Sequence, residues 1–214
     1  MIRRYYRHIK IVLLVLAHIT LLGFFFPESQ RALGEQARNV LLFLLFISPL
    51  SKIFPIAILR LLMGLRREFG ILFAYLSIVH GVGYLLDPGW ASYIFWPLFS
   101  DPASVPLRYT FGIIALVLSL PLLITSNNIS MRLMKSKWKT LHRLVYAVLV
   151  FSLFHAFLRD TASLDLAGVA QAVFILGVYL GLKSLSFMPN ISLLTRLRSF
   201  VSLDYARYDE GRRM

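Results

Sequence analysis

The 214-residue chain contains no cysteine. That excludes disulfides, thiolate-ligated iron–sulfur clusters and covalent c-type haem, and it leaves histidine as the obvious ligand for a soft metal or a haem iron. Acidic residues are scarce too, 10 Asp and Glu against 23 Lys and Arg, for a net charge of +13. No carboxylates are paired within an apolar run, so a proton-pump relay is not expected. Walker loops and dinucleotide fingerprints are missing, and with them any visible nicotinamide domain. There is no internal repeat and no low-complexity linker.

Apolar residues are abundant instead. They make up 58% of the chain, and the mean hydropathy is +0.71, well above the usage of soluble domains, so the chain reads as an integral membrane protein in a lipid bilayer. Hydrocarbon ~30 Å thick asks for ~20 apolar residues per crossing, and six stretches qualify: 9–26, 39–58, 69–86, 109–126, 142–158 and 164–182. In the second, Pro49, Lys52 and Pro55 predict a helix that ends or kinks near Pro49 and continues as an interfacial segment. Apolar residues all round the others fit helices and no half-buried strand. The expected fold is an all-α bundle of six transmembrane helices over 9–185, between a basic N-terminus (1–8) and a basic tail (186–214).

Charge orients this bundle. Nineteen of the 23 basic residues fall at the N-terminus (Arg3, Arg4, Arg7, Lys10), after span two (Lys52, Arg60, Arg66, Arg67), after span four (Arg132, Lys135, Lys137, Lys139, Arg143) and at the tail (Lys183, Arg196, Arg198, Arg207, Arg212, Arg213). Only Arg31, Arg38, Arg108 and Arg159 lie opposite. Both termini are therefore expected in the cytoplasm, and the charge serves membrane topology with no call for nucleic acid. "GFFFPESQ" puts bulky aromatics where a signal-peptide cleavage site needs small residues, so span one is expected to stay. The aromatics of the outer loop 87–108 (Trp90, Tyr93, Phe95, Trp96, Phe99) suit a membrane–water interface.

The histidines carry the candidate chemistry. At ~1.5 Å per residue, His80 lies about 20 Å beyond Arg66 and Arg67 on span three, and His155 about 20 Å beyond His142 on span five. His80 and His155 thus share a depth in the outer leaflet. Two imidazoles on different helices at one level suit axial ligation of a haem iron; helix packing through hydrogen bonds is the competing reading. His142, at the cytoplasmic end, faces no histidine at its depth. Arg66 or Arg67 stands there, suited either to positive-inside anchoring or to haem propionates, a flavin or a quinone anion. His18, near mid-membrane on span one, is open to a third-site ligand, a quinone contact or a structural hydrogen bond.

"RREFGILFAYLSIVH", followed by "TSNNISMRLMKSKWKTLHRLVYAVLVFSLFH", resembles the ferric-reductase-like transmembrane family, and within it the MsrQ (YedZ-type) haem b subunits. The resemblance rests on Arg66, Arg67, Gly70, His80, Thr125, Ser126, Trp138, His142, Tyr146 and His155, with "AHITLLGFF" and "ISPLSK" also fitting. It implies an electron-transfer subunit, rather than a complete enzyme, in a bacterial inner membrane, with haem held between helices three and five. His80 and His155 are implied as ligands of the outer haem and His142 as an inner-side ligand. Family members with two bis-histidine haems have a second histidine where this chain has Arg66 or Arg67, so one haem or two stays open, as does FMN or a quinone. The implied partners are a cytoplasmic flavin reductase or quinol as donor and a periplasmic molybdopterin methionine sulfoxide reductase as acceptor. A stand-alone ferric or oxygen reductase and a non-redox scaffold or transporter are the alternatives.

Overall fold

Lipid offers no hydrogen-bond partner to a bare peptide group, so a chain this apolar closes its backbone bonds within helices. The computed structural model describes residues 2–54, 56–158 and 166–187, and all regular secondary structure among the described residues is helical. Arg159 and the expected tail beyond Phe187, with its arginines at 196, 198, 207, 212 and 213, lie outside them.

Helix α1 (Ile2–Ile19) runs on as a 3₁₀ segment over Thr20–Phe25. It is followed by α2 (Gln30–Ile53), α3 (Ala57–Gly64) and α4 (Arg66–Leu86). Short helical turns occupy Pro88–Ser104, the first capped by the Asp87 carboxylate, which accepts from the N–H groups of Gly89 and Trp90 at 2.8 and 3.2 Å. Then come α5 (Leu107–Ile124), α6 (Asn128–Met134), α7 (Ser136–Leu141), α8 (Leu144–Phe157) and α9 (Leu166–Leu185).

Five stretches among the described residues are long and apolar enough to cross a membrane: Tyr6–Phe25, Arg66–Leu86, Leu107–Ile124, Ser136–Phe157 and Leu166–Leu185. The protein is a multi-pass membrane protein. The expected second span departs most from the reading of the sequence. Helix α2 begins at Gln30, nine residues before the apolar run, so it carries Arg31, Glu35, Gln36, Arg38 and Asn39 and is not among the five. Nor does Pro49 end it. The proline is buried one turn from the C-terminus, where its missing N–H forfeits a single helical bond, and the chain restarts as the separate helix α3.

Two further boundaries moved for local reasons. Helix α1 begins at Ile2, taking up the basic leader. The fifth apolar run is broken at His142–Arg143, between α7 and α8.

Packing explains why α2 belongs inside. Its Leu41, Leu44 and Leu45 meet Phe73 and Leu76 of α4, Val148, Leu149 and Leu153 of α8, and Ala172 and Tyr179 of α9 in one buried cluster. Large apolar side chains point outward elsewhere, such as Val12 and Leu16 of α1, Val117 of α5 and Phe174 of α9. Lipid accommodates them; water would not.

Candidate functional site

The core brings α4 and α8 together near the end opposite the basic leader, and there His80 and His155 meet. Their ring centres are 5.9 Å apart, with planes at 60°. Each ring is held from behind. Nδ1 of His80 donates to the carbonyl of Gln30 at 2.7 Å, and Nδ1 of His155 donates to the carbonyl of Arg108 at 2.8 Å. A carbonyl oxygen only accepts, so Nδ1 carries the proton in both rings and Nε2 carries the lone pair. This is the tautomer that metal-ligating histidines adopt when their second nitrogen is anchored.

The same device is built twice. Gln30 opens α2, and four residues on stands Gly34, where a Cβ would lie 2.6 Å from the His80 ring. Arg108 is the second residue of α5, and four residues on stands Gly112, where a Cβ would lie 2.6 Å from the His155 ring. In each case the first helical turn supplies the anchoring carbonyl, and a glycine one turn later leaves room for the imidazole. Gln30 is itself fixed, its Nε2 donating to the Gly23 carbonyl at 3.0 Å and its side chain packed where a Cβ at Gly83 would stand.

These features suit a planar metal centre. With ring centres 5.9 Å apart and Nε2 unprotonated on each, His80 and His155 are the residues that would hold such a metal through imidazole nitrogen. No group of three or more His, Asp or Glu that could hold a bare ion occurs among the described residues. The two residues whose carbonyls anchor the rings each carry a buried, unmatched polar side-chain atom, Gln30 Oε1 and Arg108 Nε. The second is a donor suited to a carboxylate. Aromatic rings close the end of the site: Tyr84 meets His80 edge-on at 5.3 Å, and Trp90 meets Tyr84 at 5.2 Å. Part of the expected interfacial belt therefore turns inward, while Trp96 and Phe99 stay exposed.

The other sequence candidates lie apart from this pair. Nε2 of His142 is 3.0 Å from Thr125 Oγ1, whose own proton goes to the Pro121 carbonyl at 2.6 Å, so His142 is the donor and its Nε2 is occupied. Trp138 stacks on the His142 ring at 3.9 Å and donates from Nε1 to the Thr125 carbonyl at 2.9 Å. Arg67 bonds Asn128 at 2.7 Å and approaches Glu68 at 3.5 Å, whereas Arg66 has a buried Nε without a hydrogen-bond partner. His18 is exposed, its Nδ1 turned to the Leu14 carbonyl at 2.7 Å and its ring 5.1 Å from Tyr75.

Sequence reasoning missed Glu68. This carboxylate is fully buried, 3.2 Å from Lys10 and 3.5 Å from Arg67, and ties α1 to the start of α4. A lone Glu directly after two arginines, in a first helical turn that favours negative charge, was the available signal. Gln30, Gly34, Arg108 and Gly112 were missed as well. Their part is played by backbone atoms and by a missing Cβ, which no side-chain motif announces.

Among proteins of known name, the chain is 32% identical over 152 residues to the protein-methionine-sulfoxide reductase heme-binding subunit MsrQ of Brucella ovis, covering 71% of this chain and 65% of that one. To its namesake in Brucella anthropi it is 33% identical over 127 residues, 59% of this chain and 54% of the relative. The chain thus spans less than two thirds of the length of these relatives. No solved structure matches. Residues 33–153, which hold His80, Gly34, Arg108 and Gly112 and end two residues before His155, match the family described as the ferric reductase like transmembrane component, and the chain belongs to that family.

Proposed function

We propose that this protein is a haem b electron-transfer subunit of a bacterial inner membrane, in which His80 and His155 would hold the haem iron. The observation that carries the reading is the matched pair of Nδ1-anchored imidazoles, 5.9 Å apart. Haem bound there would supply one-electron chemistry, with a potential tuned by the residues that hold and surround it. The chain's own residues do the rest. Gln30 and Arg108 fix the tautomers, Gly34 and Gly112 leave the rings their space, and the Arg108 guanidinium offers its unmatched N–H to a carboxylate of the cofactor. The name of the MsrQ relatives, heme-binding subunits, supports the cofactor.

The fold in this reading has six crossings. Helix α2 supplies the sixth, since its 24 residues reach about 36 Å at ~1.5 Å each and its middle is buried between α4, α8 and α9. Both termini are cytoplasmic on the basic asymmetry. Electrons enter from a flavin reductase or a quinol and leave to a periplasmic methionine sulfoxide reductase, the partner that the relatives' name suggests. Arg66, Arg67 and His142 line the entry side as contacts for a flavin, a quinone or a second haem. A second haem on His142 requires that ring to release Thr125. His18, on the outside of α1, suits a quinone contact better than a ligand.

The test is reconstitution in vesicles, with donor on the cytoplasmic face and a methionine sulfoxide reductase on the other. Donor-dependent reduction of the acceptor, lost in His80→Ala, is expected. Transfer that persists in both His80→Ala and His155→Ala would overturn the reading. Haem stoichiometry decides the inner side: one per chain in the wild type, unchanged in His142→Ala, is expected from the occupied Nε2.

A further inference from the structure

Beside the histidine pair, three segments meet at glycines. The end of α1 approaches α2 and α4 at Gly23, where a Cβ would lie 2.6 Å from Leu33 and 3.0 Å from Val79. Helix α4 carries Gly83 three residues beyond His80, on the same face of the helix. Against Gly83 lies the side-chain amide of Gln30, and a Cβ there would run into its Cδ, Oε1 and Nε2 at once. The amide is thus wedged between two backbones. It fills the place of a side chain at Gly83, and its Nε2 donates to the Gly23 carbonyl at 3.0 Å. Gln30 is only 3% exposed.

A residue in this place would ordinarily be loose. Gln30 is the first residue of α2, and first turns fray because their N–H groups lack helical partners. Ser29 before it supplies no side-chain cap, its hydroxyl donating to the Phe26 carbonyl at 2.7 Å instead. Yet the Gln30 carbonyl is the atom on which His80 depends, accepting from Nδ1 at 2.7 Å. Such a bond ends at ~3.2 Å, so a drift of about half an ångström in the carbonyl would release the ring. The amide on the same residue opposes that drift, because it ties Gln30 to α1 and seats it on α4. Its Oε1 is buried without a hydrogen-bond partner, which is unfavourable by itself. The amide therefore owes its place to the Nε2 bond and to its fit against Gly83.

We propose that the Gln30 amide and Gly83 form a latch that positions His80: the amide, seated on Gly83 and tied to Gly23, holds the Gln30 carbonyl against Nδ1 and so keeps the ring beside His155. Gln30 is a positioning residue, acting on the imidazole through its own main chain. The purpose of the latch rests on the proposed role of His80 in holding haem, but the latch itself needs no haem.

Nitrogen-15 NMR of the full chain with labelled histidines, in lipid nanodiscs without haem, tests it, followed by haem titration of the same samples. Exchange of the Nδ1 protons with water is read separately for His80 and His155, and in the wild type both should be slow. Gln30→Met keeps the length of the side chain and loses the Nε2 bond, while Gly83→Ala keeps the donor and removes its seat. Each should speed exchange at His80 by about fivefold, the worth of one hydrogen bond, and leave His155 unchanged. Each should also weaken haem binding by about tenfold, the lower end of the loss when a ligand's anchor fails. Alanine at position 30 leaves room for a Cβ at position 83, so Gln30→Ala/Gly83→Ala should do no worse than Gln30→Ala alone. Unchanged exchange at His80 in Gln30→Met and Gly83→Ala would overturn the proposal. So would equal acceleration at His80 and His155, the mark of a general loosening of the fold. A wild type that takes up no haem would refute the haem reading and leave the exchange rates to decide the latch.

Discussion

Replacing Gly34 by alanine sets two effects of opposite sign against each other. In a helix interior alanine is favoured over glycine by about 0.8–1.0 kcal/mol. Its Cβ, however, would lie 2.6 Å from Cε1 and 2.7 Å from Nδ1 of His80, where non-bonded atoms keep ~3.5–4.0 Å. The ring must retreat by roughly 1 Å. That stretches the 2.7 Å bond from Nδ1 to the Gln30 carbonyl past the ~3.2 Å at which such bonds end. Overpacking costs about 1–3 kcal/mol and a buried orphaned donor about 1–3 kcal/mol more, so the clash outweighs the helix propensity. A displaced ligand anchor also weakens metal binding by about 10–100-fold. Gly112→Ala should behave alike through His155. Gly177 and Gly181 on α9 provide the control, because a Cβ at either meets nothing within 4 Å. Alanine there should leave haem binding unchanged and raise stability by about 0.5–1 kcal/mol. Haem titration and thermal melting of the four variants separate the cases. If Gly34→Ala and Gly112→Ala bind and melt like Gly177→Ala, the glycines are not making room for the imidazoles.

Other outcomes follow from the basic end and the topology. Lys10→Met should destabilise the protein by several kcal/mol, up to about 3–5 kcal/mol, because it leaves the fully buried Glu68 charge with only Arg67 at 3.5 Å. Glu68→Gln removes that charge and leaves Lys10 and Arg67, both partly exposed, to water, so it should cost less; the reverse order in thermal melts would refute the assignment. Reporter fusions after residue 60 and residue 134 should be cytoplasmic and one at Ser100 periplasmic, and inverted reporters would reverse the proposed direction of electron flow. Arg108→Lys keeps the charge and loses the planar donor set, so haem should bind more weakly than in wild type although the backbone carbonyl still anchors His155; unchanged affinity would remove the guanidinium from the site.

The parts of this molecule legible in its sequence are those set by counting along a helix. A rise of ~1.5 Å per residue from Arg66 to His80 and from His142 to His155 was enough to put two imidazoles at one level, and they do meet. The start of α2 was hidden because Arg31, Glu35, Arg38 and Asn39 resemble a loop, although Gln30 in that stretch anchors His80. Pro49 read as a helix end because local rules ignore burial; packing inside the bundle tolerates one missing bond near a terminus. The interruption at His142 coincides with contacts from Thr125 and Trp138, residues 17 and 4 positions away whose approach to the ring the apolar pattern does not encode. Glu68 found its cation 58 positions earlier, on a helix that only tertiary packing brings near.

Low-temperature electron paramagnetic resonance of the purified oxidised protein tests the bis-imidazole site most directly. The wild type should give a low-spin ferric signal with two nitrogen axial ligands, and His80→Ala and His155→Ala should each convert it to high spin or lose haem altogether. A wild type without haem, or low-spin signals unchanged in both variants, would contradict it.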